Sequence, residues 1–204
     1  GTAVGVPGLV NGGGFGSFSK AHGTAAASLL EAEIVTADGQ IRIVNADNDP
    51  ELFWALKGGC AASFGIVTRM TLRTHALPDT FGGVSCQIQA SDDASWQALV
   101  AEMLRFYRDT LCNAHWGEQF TFKDARRLSI SMVFQGLSRD AAEATWTPFL
   151  DWVRARPAYT ITDPLQALAM PARDMWNADF FREHAPALIA EDTREGAASR
   201  HMLW

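Results

Sequence analysis

The chain has 204 residues, 48% of them hydrophobic and 20% charged, with a formal net charge of −6. That length carries one or two domains with a sizeable core, and the acidic balance argues against a nucleic-acid binder, which needs a basic face. No apolar run reaches the roughly eighteen residues of a membrane-spanning helix, and no secretory leader is visible. Residues 1–23 are dense in glycine and read as a loop that comes close to a ligand. Two β-prone runs over residues 29–46 flank Asp38-Gly39 and predict a hairpin. A short helix follows, with Asp49 as N-cap, Pro50 at its first position and Gly58 ending it. Residues 63–78 read as one long strand ended by Pro78.

After Pro78 the pattern changes. Residues 82–89 predict a strand. Over residues 92–111, Trp96, Leu99, Val100, Met103, Leu104 and Tyr107 recur at helical spacing. Residues 118–122 and 128–135 predict paired strands around Lys123-Asp124. Residues 138–154 predict a second helix, with Ala142, Trp146, Phe149, Leu150 and Val153 on one stripe. A strand is expected over residues 159–162, and irregular structure from Pro164, with residues 170–181 as a loop. Trp96, Trp146 and Trp152 are expected in the core, and Glu191, Asp192, Arg194 and Glu195 in a solvated turn. The order predicts two α+β units that meet near residues 77–82.

Several chemistries are excluded by their motifs. The GGGFG run (residues 12–16) is not a dinucleotide GxGxxG, because the third glycine falls on a serine. There is no phosphate-binding P-loop, no HExxH helix and no GxSxG elbow. The histidines (22, 75, 115, 184 and 201) are scattered, so no metal site is expected. Cys60, Cys86 and Cys112 lack CxxC spacing; they read as small apolar residues or free thiols, which slightly favours the cytoplasm.

What remains is VGVPGLVNGGGFGSFSKAHGTAAASLLEAEIVTADGQ (residues 4–40), followed by NDPELFWALKGGCAASFGIVTRMTLR (residues 48–73). Together these resemble the second half of the flavin-binding domain of FAD-linked oxidases of the berberine-bridge and vanillyl-alcohol-oxidase type. The resemblance implies an α+β fold: the second subdomain of a two-part FAD-binding domain over residues 1–78, then part of an α+β substrate domain, with an antiparallel sheet and flanking helices, over residues 79–204. It also implies FAD, a small-molecule substrate and an electron acceptor such as oxygen. Gly5, Gly8, Gly12, Gly13, Gly14 and Gly16 would line the pyrophosphate and inner flavin, their amides turned to its oxygens without side-chain obstruction. Gly65, Ile66 and Val67 would lie beside the adenine end, and His22 would face the flavin or the substrate entrance.

The chain departs from the family pattern in three places. His22-Gly23 stands for Tyr-Gly, Ala27-Ser28 for Asp-Asn, and Gly58, Gly59, Cys60, Ala61 and Ala62 for an unbroken glycine run. The family's first flavin subdomain, with its flavin-linking histidine, is expected to precede residue 1. A second covalent link, from cysteine, would fall on or next to Gly1, and the catalytic base is expected beyond Trp204 or is missing. In the substrate domain, alternation puts Gln119 and Thr121 opposite Glu118, Phe120 and Phe122, and groups Ser129, Ser131, Val133 and Gln135. Gln119, Thr121, Ser131 and Val133 are the expected substrate lining, with a plain solvent face as the alternative reading. Trp176, Asn177 and Asp179 are placed at the pocket edge. Two other functions stay open: a non-catalytic binding or assembly module that keeps the fold without flavin, and a sugar-nucleotide reductase with a different substrate domain.

Overall fold

The structure is a computed structural model that describes residues 5–59, 64–117, 119–186, 189–191 and 200–202. Gly1, Cys60, Ala61, Ala62, Glu118, Asp192, Arg194, Glu195 and Trp204 lie outside the described residues. The chain forms two compact units, divided between Ala76 and Leu77. The described residues between Ala178 and Met202, read from the sequence with the second domain, group with the first unit.

The first unit is built on an antiparallel sheet of order β2-β1-β3, with β1 Leu29–Val35, β2 Ile41–Asn45 and β3 Ile66–Leu72. The β1–β2 hairpin turns where expected, with Gly39 at φ 76°. Asp38 organises this turn: its carboxylate accepts from the Thr36 hydroxyl, the Gln40 amide and the Arg42 guanidinium. Those donors, Thr36 foremost, hold its pKa at about 2. β3 is shorter than the stretch read as a strand, because residues 73–78 form no regular structure.

The glycine-rich stretch is more ordered than a loop. It contains helix α1 (Val6–Asn11), helix α2 (Ser19–His22) and a 3₁₀ turn, Ala25–Ser28. Helix α3 (Pro50–Leu56) starts as predicted: Pro50 lacks an amide where none is needed, and the Asp49 side chain accepts from the Leu52 amide at 3.4 Å. Val10, Leu29, Ile34, Val44, Phe53 and Leu56 form the core. Helix α6 (Ala178–His184) and a strand pair, β8 (Ile189–Glu191) with β9 (Arg200–Met202), complete the unit.

The second unit is a four-stranded antiparallel sheet of order β5-β6-β4-β7. Its strands are β4 Thr80–Ala90, β5 Phe120–Lys123, β6 Arg127–Gln135 and β7 Tyr159–Pro171. Helix α4 (Asp93–Phe106) opens with a capping box between Asp92 and Ser95, and runs on into a π-helical turn, Tyr107–Leu111. Helix α5 (Arg139–Arg154) is capped by Ser138, and its expected stripe, Ala142, Trp146, Phe149, Leu150 and Val153, is wholly buried. These pack on Val84, Cys86, Ile88, Leu128, Ile130 and Phe134 from one sheet face. Trp96 and Trp152 reach only the core margin, where Trp152 stacks on Tyr159. Cys86 is fully buried, and burial pushes its thiol up to about 11; Cys112 is exposed. No helix among the described residues is long and apolar enough to cross a membrane.

β7 corrects the sequence reading. It extends 13 residues straight through Pro164, where irregular structure was expected, and the stretch read as a loop holds a 3₁₀ turn and α6. Among the described residues β7 pairs only with β4, so one of its edges needs no donor there, and the register shifts beside Asp163; both let the strand tolerate proline.

Two measurements check these accounts. A Cβ on Gly82 would fall 2.2 Å from Phe134 Cζ and 2.3 Å from the Leu168 carbonyl oxygen, whereas one on Gly83 meets only the Met132 carbonyl at 3.6 Å. In urea denaturation, Gly82→Ala is expected to cost about 1–3 kcal/mol, and Gly83→Ala to leave stability unchanged. For Asp38, whose ordinary pKa is 3.8, the stabilisation is present above that value and lost as pH falls through about 2. A carboxyl NMR titration that places Asp38 at its ordinary value contradicts the turn described here.

Candidate cofactor and substrate sites

In the first unit, the glycines differ in what they do. The Gly12 amide donates to the Gly8 carbonyl at 3.0 Å, that of Gly13 to Val10 at 3.0 Å, and that of Gly16 to the Ser19 hydroxyl at 2.9 Å. These three amides are engaged within the chain, so the picture of a ring of free donors for a pyrophosphate is reduced to the remaining ones. What the segment offers instead is low relief. A Cβ on Gly5, Gly8, Gly13 or Gly16 would meet no heavy atom within 4 Å. Gly14 is different: at φ 67° its Cβ would lie 2.4 Å from that of Ala25, so packing already demands glycine there.

Asn11, directly before this run, is 5% exposed, and its side-chain oxygen has no hydrogen-bond partner. A buried acceptor left without a donor costs about 1–3 kcal/mol. An open, low-relief glycine surface with an unsatisfied acceptor at its start suits a flat group that brings its own donors.

Gly65 is required by the approach of two strands. It sits at φ 147°, and a Cβ there would fall 2.3 Å from the Val35 carbonyl oxygen. Ile66 pairs with Val35 and is 71% exposed, while Val67 pairs with Ile34 and is half-buried. His22 is half-buried against His75, with ring centroids 4.5 Å apart, and His75 Nε2 lies 3.2 Å from the Ser28 hydroxyl. Two of the positions that depart from the family pattern, His22 and Ser28, thus meet through His75. No local signal marks His75, which lies 47 residues from Ser28. A further shallow pocket of about 490 Å³ is lined by Thr24, Ala26, Ala27, Phe53, Trp54 and Lys57.

In the second unit, strand alternation leaves one sheet face free of the core. Ser129 and Ser131 lie on that face, between buried Leu128, Ile130 and Met132. Thr121 stands opposite Ser129, and the Gln119 carbonyl accepts from the Ser131 amide. Gln119, Thr121 and Ser131 line one open groove of about 800 Å³, together with Ser129, Lys123, Phe120, Leu104 and Tyr107. Val133 is on the same face of β6 but is not among the groove's lining residues. Trp176, Asn177 and Asp179 do not line the groove, and Asp179 belongs to the first unit. Among the described residues, no three of His, Cys, Asp and Glu converge as metal ligands.

No protein-family model matches the chain. Known proteins do. The FAD-linked oxidoreductase asqF of Emericella nidulans is 40% identical over 110 residues, which are 53% of this chain and 19% of asqF. Berberine bridge enzyme-like 23 of Arabidopsis thaliana is 27% identical over 185 residues, 79% of this chain and 34% of that protein. Among solved structures, the VAO-type flavoprotein MtVAO615 from Myceliophthora thermophila C1 matches at a TM-score of 0.69 and 30% identity, over 82% of this chain and 30% of that one. The fold of this chain therefore matches part of the VAO-type architecture. The chain's homologues are FAD-linked oxidoreductases of the vanillyl-alcohol-oxidase and berberine-bridge type. It spans about a fifth to a third of the length of these relatives.

Asn11 gives this site a test that needs no activity. Asn11→Leu removes the unpaired oxygen at similar volume, and is expected to leave the cofactor-free protein as stable as before or more so, by up to about 1–3 kcal/mol. A clear fall in the urea midpoint contradicts an unsatisfied oxygen at this position.

Proposed function

We propose that this chain is part of an FAD-dependent oxidase or dehydrogenase, its first unit contributing to the cofactor domain and its second to the substrate domain. The reading is carried by the low-relief glycine surface of residues 5–16, taken with the FAD-linked character of the homologues. When bound, FAD supplies the acceptor for a hydride drawn from a C–H bond of an alcohol, sugar, amine or hydroxy acid, and oxygen or another acceptor regenerates it.

The chain's own residues bind and orient. Gly5, Gly8, Gly13 and Gly16 admit a flat ligand where any side chain would stand in its way. Gly12 and Gly14 hold the backbone that shapes this surface. Asn11 accepts a hydrogen bond from the cofactor side, while Gly65, Ile66 and Val67 offer strand backbone to the adenine end. His22, fixed by His75, borders the entrance. Gln119, Thr121 and Ser131 present hydroxyl and amide groups to the substrate, with Val133 as an apolar neighbour. Half of a cofactor cradle holds its ligand poorly, so the 204 residues alone are expected to be inactive.

The test is a visible spectrum of the natural full-length protein beside the 204-residue chain. A yellow full-length protein with flavin absorbance and a colourless shorter chain are expected. A full-length protein that never retains flavin overturns the reading and leaves the non-catalytic module. In the full-length protein, Gly16→Leu is expected to lower flavin occupancy at least about tenfold, equivalent to about 1.4 kcal/mol of binding, with unchanged far-UV circular dichroism.

A further inference from the structure

We infer that the groove at the β5 edge selects an amphiphilic carboxylate: an apolar or aromatic body lying in the groove, with its anionic group seated on Lys123 and Arg127. This rests on the reading of the open sheet face as the substrate side, and names what that side takes.

The charge pattern carries the inference. On the open face, the central positions are neutral: Thr121 on β5, Ser129 and Ser131 on β6, Ser85 and Gln87 on β4. At the hairpin end of the face, Lys123 stands directly opposite Arg127, both exposed, with Gln89 of β4 opposite Arg127 on its other side. Like charges directly opposite across antiparallel strands destabilise the pair, with Cβ atoms about 4.5–5.5 Å apart. Among the described residues, neither has an ion-pair partner, and Asp124 in the adjoining turn pairs with neither. The contrast is local: neighbouring Arg126 binds Asp93 at 3.0 Å. Two facing cations without a counter-charge, beside a groove, make an anion seat, and a guanidinium meets a carboxylate through two parallel hydrogen bonds.

The groove supplies the rest of the chemistry. Its volume of about 800 Å³ falls within the usual range of about 300–1,000 Å³ for small-molecule sites. One wall is apolar: Leu104 from α4, Tyr107 from the π-helical turn, and Phe120, whose ring lies 5.7 Å from that of Tyr107. π-Helical turns recur at functional sites. The other wall is Gln119, Thr121, Ser129 and Ser131, with Lys123 at the hairpin end. A ring or aliphatic body fits the first wall, its hydroxyl or carbonyl groups the second, and a carboxylate the cationic end.

The experiment compares two probes of matched size, 2-naphthoate and 2-naphthalenemethanol, by calorimetric titration of the natural full-length protein. The naphthoate is expected to bind about tenfold more tightly, a difference of about 1.4 kcal/mol, and to weaken with added salt as exposed charge pairs do. The double variant Lys123→Gln, Arg127→Gln changes two exposed side chains and is expected to erase that preference, while the affinity for the alcohol is kept. Lys123→Glu is expected to reverse it. Equal affinity for both probes, no binding of either, or a preference that survives the double variant overturns the inference. Flavin absorbance is read on the same samples. A flavin-loaded protein without the preference refutes the anion seat alone, whereas a protein without flavin refutes the functional reading on which the seat depends.

Discussion

Successive side chains of a β-strand point to opposite sides, and the second unit depends on that two-residue period. On β4 and β6, the even positions Val84, Cys86, Ile88, Leu128, Ile130, Met132 and Phe134 are buried beneath α4 and α5. The odd positions, Ser85, Gln87, Ser129 and Ser131, are left outside the core. A slip of one residue would exchange the two sets, so the apolar packing that stabilises the sheet also fixes which polar groups face the groove. The aromatic contacts of Trp146 with Phe106, Trp116 and Phe149 lock that packing from the helix side.

On the proposed reading, the first unit has another task, to bring a backbone close to a flat cofactor. Its glycines divide the task. Gly14 and Gly65 are required by contacts with Ala25 and Val35, and so would be glycine with or without a ligand. Gly13 borders open space but sits at φ 95°, so its backbone also demands glycine, whereas Gly5, Gly8 and Gly16 border open space and have no such internal reason. Chemistry is therefore placed at a few positions rather than spread evenly along the glycine run, and Asn11 adds an unsatisfied acceptor at its head.

Much of this was legible in the sequence. The Asp38-Gly39 hairpin, the Asp49–Pro50 helix start and the stripe of α5 follow from local chemistry, and the structure has them, whereas of the α4 stripe only Leu99 and Met103 are buried and Leu104 is exposed. The α+β class and the kinship with FAD-linked oxidoreductases rested on motif order along residues 4–73, and the relatives agree. What escaped was non-local. Pro164 breaks a strand pattern on paper, yet only its pairing on one side shows why it is tolerated. α1 was hidden because Gly8 and Pro7 are poor helix formers by composition alone. The meeting of His22, Ser28 and His75, and that of Lys123 with Arg127, appear only once strands and turns are paired.

Pro164 also has a meaning for life in a crowded solution. A sheet with free edges is a template on which a neighbouring chain can add a strand, and stacking of that kind leads to aggregates. Midway along β7, the proline offers no amide hydrogen and interrupts the row of donors an incoming strand would need. Replacing it with a β-branched residue would suit the strand's own geometry better, at the cost of leaving a long uninterrupted edge. Where that edge of β7 is left open, the residue that most disguises the strand in the sequence also guards it against self-association.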